Sequence, residues 1–160
     1  MPAAGMSVFD YGDVLYMHTS PSTLKPLDAV YHSALRFITG DSFLTHHCIL
    51  YEKLGWPTLA TLREQHCVLF IYKALCGDLP LYLSSLIIAK PSGHHTRSQD
   101  YISLITPRMN STLGMTAFSF YAPDKWNKLQ VSLKLTSLVS IETFKSLVEA
   151  TLRKDCSCFI

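Results

Sequence analysis

From Pro26 to Gly77 apolar side chains recur at steps of three and four, and single glycines punctuate the pattern. Leu27, Val30, Tyr31, Ala34, Leu35, Phe37 and Ile38 share one face at helical spacing. Ser22 or Thr23 is suited to cap this helix, and Pro26 to its first turn, where a missing N–H costs nothing. Gly40 then supplies a left-handed stop. A shorter helix is expected next, with Thr45 as cap and Gly55 as stop, burying Cys48, Ile49, Tyr51 and Leu54. A third runs from Thr58 to Gly77. Leu59, Leu62, His66, Leu69, Phe70 and Lys73 form its stripe, and Cys67 to Tyr72 is apolar almost all round, the mark of a helix buried on more than one side.

The pattern weakens on either side. Val8–Met17 is aromatic and aliphatic with Gly12 inside it, fitting a helix end or a short strand, and residues 18–23 read as a loop. Beyond Gly77, Pro80 opens a short helix carrying Leu81, Leu83, Leu86, Ile87 and Ile88. Residues 90–98 form a polar loop. Period-two alternation then predicts short strands at Tyr101–Ile105 and at Phe118–Tyr121. Pro123 and Asp124 start a short helix with Trp126 and Leu129 on one side. Ser140 caps a last amphipathic helix with Ile141, Phe144, Leu147, Val148 and Leu152 on its apolar face. The expected fold is mainly α, a bundle of about five to six helices with a small β element near residues 101–121. Its expected divisions are a lead-in at 1–22, a helical core at 23–89, and a loop, β and helix region at 90–160.

Composition sharpens this picture in one respect. The 160 residues are 48% apolar and only 16% charged, against a usual charged share of roughly 25%. Either the domain is well buried, or some apolar faces meet a partner. Five scattered cysteines, Cys48, Cys67, Cys76, Cys156 and Cys158, form no disulfide framework and fit an intracellular chain, nuclear or cytoplasmic. No signal peptide is apparent, since Asp10 and Asp13 interrupt the first apolar stretch. No apolar run approaches the roughly 20 residues of a membrane span, so no membrane partner is expected.

Catalytic chemistry finds little support. Asp10 and Asp13 are separated by Tyr11 and Gly12, whereas two-metal phosphoryl transfer needs carboxylates that converge on paired ions. His46-His47-Cys48, His66-Cys67, His94-His95 and Cys156-x-Cys158 lack the matched ligand pairs of structural zinc. Glycines stand singly, so no phosphate loop is formed, and there is no Gly-x-Ser-x-Gly elbow. The chain is expected to be no enzyme, with no catalytic residue, no cofactor and no metal.

Charge is +2 overall but uneven: between Asp78 and Asp124 the only carboxylate is Asp100. Lys90, Arg97 and Arg108 lie in that span with Tyr101, a mixture of cations and stacking surface compatible with nucleic acid. Arg36, Lys53, Arg63 and Lys73 lie in the helical stretch, as solvated flanks or as a phosphate-facing rim.

Several pieces in order carry a resemblance. They are Asp10-Tyr11-Gly12-Asp13-Val14, Leu27 to Gly40, Leu54-Gly55-Trp56-Pro57-Thr58-Leu59 with Arg63, and Ile71-Tyr72-Lys73-Ala74-Leu75. His95-Thr96-Arg97-Ser98, Phe118 to Leu129 and Phe144-Lys145-Ser146-Leu147 follow. The series, from about Phe9 to Leu152, resembles the carboxy-terminal region of a LINE-type (non-LTR) retrotransposon reverse transcriptase. The resemblance implies a parent with an endonuclease, a palm-and-fingers polymerase and a helical thumb, of which this chain matches only the part after the polymerase core. Met1–Ser7 is then expected to be a substitute start. The implied role is a non-catalytic module supporting RNA template and DNA primer, with Arg36, Arg63, Lys73, Lys90, Arg97 and Arg108 as phosphate contacts and the missing polymerase core as partner. The alternative is a helical packing or interaction piece with no independent function. No oligomeric state is implied.

Overall fold

The computed structural model describes residues 12–91 and 101–152. Among these lie eight helices: α1 (Asp13–Tyr16), α2 (Pro21–Thr39), α3 (His47–Leu54), α4 (Leu59–Cys76), α5 (Leu81–Ser84), α6 (Thr112–Met115), α7 (Phe118–Leu133) and α8 (Ile141–Leu152). The chain is mainly helical. Among the described residues, those up to Glu64, with Leu152, form one compact unit, and Gln65–Thr151 form a second. The division falls within α4.

In the first unit the glycine stops behave as expected. Gly40 (φ 70°) ends α2 and Gly55 (φ 63°) ends α3, both in the left-handed region that disfavours a Cβ. The starts differ. α2 opens at Pro21, with Ser20 in the cap position, not at Pro26. Pro26 therefore sits inside the helix and withholds one N–H from the ladder. α3 is capped by His46 rather than Thr45: its Nδ1 accepts the Cys48 N–H at 3.4 Å.

The core of this unit is Tyr31 and Leu35 from α2, Leu50 from α3 and Leu59 from α4, with Leu27, Tyr51, Leu54, Trp56 and Leu62 packed around them. Burying side chains of this size stabilises by about 1.5–3 kcal/mol each. The Tyr31 hydroxyl donates to the Pro57 carbonyl at 2.9 Å, so this ring fills the core and satisfies a loop acceptor together. Only part of the apolar face predicted for α2 is used. Val30 and Ile38 are exposed and Phe37 is 90% exposed. In α3, Leu50 carries the burial and Ile49 faces out.

The second unit holds an aromatic core. Tyr72 of α4 and Phe144 of α8 stack with centroids 3.7 Å apart and rings 10° from parallel, and Trp126 of α7 lies 6.4 and 5.9 Å from them. All three are fully buried, with Val68, Ile71 and Leu104. In α4, then, Cys67, Val68, Ile71 and Tyr72 are buried and Lys73 is exposed, a rotation of the expected stripe. In α8, Ser140 Oγ accepts the Thr143 N–H at 3.2 Å, and Phe144 and Val148 point inward as predicted.

The predicted β element is not formed: the described residues contain no strand, only an isolated antiparallel bridge between Ala89 and Leu104. Phe118–Tyr121 is the first turn of α7. Its four-residue alternation is overridden by helical spacing, since Ala122, Trp126 and Leu129 are buried at steps of four and three. Pro123 lies inside that helix, so no separate helix starts there. Ile102–Ile105 is extended, but its partners are mostly not strands. The Ile102 N–H donates to the Leu135 carbonyl (3.0 Å), and Trp126 Nε1 donates to the Ile102 carbonyl (2.7 Å). Asn127 takes both backbone groups of Leu104: Oδ1 accepts its N–H (2.8 Å) and Nδ2 donates to its carbonyl (2.9 Å). On the other side, Lys90 N–H donates to Ser103 and Ile105 N–H to Ile88, each at 2.8 Å.

Candidate functional site

The cations expected to meet phosphate have different surroundings. Arg63 is buried. Its guanidinium stands 3.9 Å from Asp28 and 5.7 Å over the Tyr16 ring, so it serves the interior of the first unit. Arg36 is half-buried: Nη2 donates to the Thr45 carbonyl at 3.2 Å and the group lies over Phe43 at 5.3 Å, holding the 40–46 loop against α2. Lys73, Lys90 and Arg108 are exposed in the second unit and make no ion pair among the described residues. Arg97 lies outside the described residues, as do Asp10 and Tyr11. Asp13, in α1, is buried, unlike a surface carboxylate.

Charge separates along the same division. From Gln65 to Thr151 there are eight Lys or Arg and five Asp or Glu, a balance of +3, which leaves −1 for the rest of the +2 chain. The cationic excess belongs to the unit that carries the free side chains.

The first unit contains a cluster that spacing alone does not reveal. His32, one helical turn before Arg36 on α2, meets the start of α3. Its ring stacks on His47 with centroids 4.6 Å apart, and its Nε2 shares a 2.7 Å hydrogen bond with the Tyr51 hydroxyl. His46 lies 4.2 Å from His47, ring to ring. Donor atoms of His46, His47 and Cys48 all lie within 4.8 Å of one another, the one such set of three among the described residues. On a continuous helix three consecutive side chains fan apart. They converge here because His46 is extended (φ −65°, ψ 138°) while His47 and Cys48 are already helical.

Burial lowers the pKa of His32 below its ordinary 6.5, and the positive charge of a protonated His47 lowers it further; Arg36 and His46 act the same way, and Asp28 opposes. His47 is lowered by burial, then by His46 and Arg36, and His18 by burial alone. The unfolded chain therefore binds protons that the folded chain resists. Stability contributed by the neutral rings is present above about pH 6.5 and is lost as pH falls through the lowered folded values. The urea midpoint of metal-free protein is expected to drop between about pH 7.5 and about pH 5, and less steeply in a His32→Gln variant. A midpoint that holds constant or rises on acidification would refute this.

No helix among the described residues is long and apolar enough to cross a membrane. Comparison of the chain with known protein families, curated proteins and solved structures finds no match.

Proposed function

We propose that this chain is a non-catalytic, intracellular module that supports nucleic acid, corresponding to the thumb and post-polymerase region of the non-LTR reverse transcriptases it resembles. The observation that carries the reading is the set of exposed, unpaired cations Lys73, Lys90 and Arg108 in the unit of +3 charge. Exposed cations bind phosphates by releasing condensed counterions, without regard to base sequence. Template RNA and primer DNA are the ligands this implies, and a polymerase core is the protein partner. Arg63 is better suited to hold Asp28 than to hold a phosphate, and the contact set narrows accordingly.

A salt titration tests it. The folded chain is expected to bind single-stranded RNA at low ionic strength, with log K falling linearly against log salt. Replacing Lys73, Lys90 and Arg108 together by alanine should flatten that slope by about 2. Absence of salt-dependent binding by folded protein would end the proposal.

One observation favours a second reading, a helical packing piece. Phe37, Phe43 and Leu44 are each more than 80% exposed in the first unit, more apolar surface than a self-sufficient unit needs. In that case the isolated chain self-associates. A monodisperse monomer with cooperative unfolding would count against it.

A further inference from the structure

The start of α3 brings two imidazoles and a thiol to one point, in a chain whose expected role gives them nothing to do. The donor set is chemically selective. Nitrogen and thiolate sulfur suit zinc and its neighbours, and disfavour magnesium and calcium, which take oxygen. Zinc bonds nitrogen at about 2.0–2.1 Å and sulfur at about 2.3 Å, which puts tetrahedral ligands about 3.5 Å apart. Donors already within 4.8 Å close that gap by side-chain rotation of about 1 Å.

Two surrounding features act on the set. The amino-terminal end of a helix carries a partial positive charge, and Arg36 acts on His47 as a like charge. Both oppose a bare cation. Cys48 would bind metal as its thiolate, whose negative charge offsets that of the cation. The remaining obstacle is weak. The neutral His46 ring now accepts the Cys48 N–H through Nδ1, and a metal at either nitrogen would end that bond. At 3.4 Å it is a long hydrogen bond with little to lose.

We propose that His46, His47 and Cys48 form a three-ligand site for a zinc-class divalent metal, with the fourth position open to water. His32 is a positioning residue: stacked on His47 and held by Tyr51, it fixes the plane of the ligand ring. Metal at this point fastens the residue before α3 to the first turn of α3.

The test uses the full chain with Cys156 and Cys158 replaced by serine, so that the terminal thiols contribute nothing. Cobalt(II) is expected to give a thiolate-to-metal charge-transfer absorption that zinc removes and that Cys48→Ser abolishes. Zinc is expected to slow alkylation of Cys48 while Cys76, exposed and outside the cluster, reacts as before; magnesium should protect neither. His47→Ala should weaken zinc binding by about 100-fold, and His32→Gln by about 10-fold. The alkylation measurement needs no change in the cluster, so it stands even if a variant misfolds. Unprotected Cys48, equal protection by magnesium, or a charge-transfer band that survives Cys48→Ser would overturn the site.

Discussion

Trp126→Ala is expected to destabilise the second unit by about 4 kcal/mol, most of the stability of a domain at the low end of the usual range of about 5–15 kcal/mol. The indole is fully buried beside the stacked Tyr72 and Phe144 rings, 6.4 and 5.9 Å from their centroids. Truncation forfeits its transfer free energy and leaves a cavity that two fixed aromatic rings cannot collapse into. It also orphans the Ile102 carbonyl, which takes the Nε1 proton at 2.7 Å. Trp126→Phe separates these effects in part, since a six-membered aromatic ring remains while the pyrrole ring and its donor go; its cost should be smaller, about 1–2 kcal/mol from the lost bond plus the packing lost with the pyrrole ring. Urea unfolding followed by far-ultraviolet circular dichroism measures both. Equal losses for the two variants would show that ring volume is not what Trp126 contributes.

Tyr72→Phe is expected to cost about 2 kcal/mol although it removes a single oxygen. That oxygen serves two partners on one residue. It donates to the Val139 carbonyl at 2.6 Å and accepts the Val139 N–H at 2.7 Å. Phenylalanine keeps the stack on Phe144 and leaves both backbone groups unpaired, just before the Ser140 cap of α8. The loss should therefore appear twice in hydrogen exchange: as a global decrease, and as faster exchange at Val139 and the first turn of α8. An unfolding free energy within about 0.5 kcal/mol of the parent would mean that water replaces the hydroxyl without penalty.

Between Pro26 and Gly77 the helices and their ends were legible because two local signals agreed, apolar spacing near 3.6 and single glycines as stops. Faces were less so. Val30, Phe37 and Ile38 are as apolar as Leu35, and periodicity cannot say which of them a neighbour will cover. Proline misled twice. Pro26 and Pro123 each suggested a helix start, and each lies inside a longer helix whose other residues outweigh one missing bond. Of the expected cations, exposure distinguishes Lys73 from Arg63 only once Asp28 and Tyr16 are seen beside the latter. The trio His46-His47-Cys48 was visible in sequence but lacked a matched second pair. What spacing could not show is that extended His46 lets the three donors converge, and that His32, fifteen positions from His47, stacks on it.

The extended segment at Ile102–Ile105 has a consequence for solubility. A strand's backbone alternates sides, and an unpaired side is a template on which another chain can add. Here Ile102 and Leu104 spend both their backbone groups on Leu135, Trp126 and Asn127, while the Ser103 carbonyl accepts from Lys90 and the Ile105 N–H donates to Ile88. Asn127 occupies the place of an adjoining strand without being one. The segment is apolar enough to read as β in sequence, yet on the side of Ile102 and Leu104 every backbone group is taken, so intermolecular cross-β stacking has no edge there from which to begin.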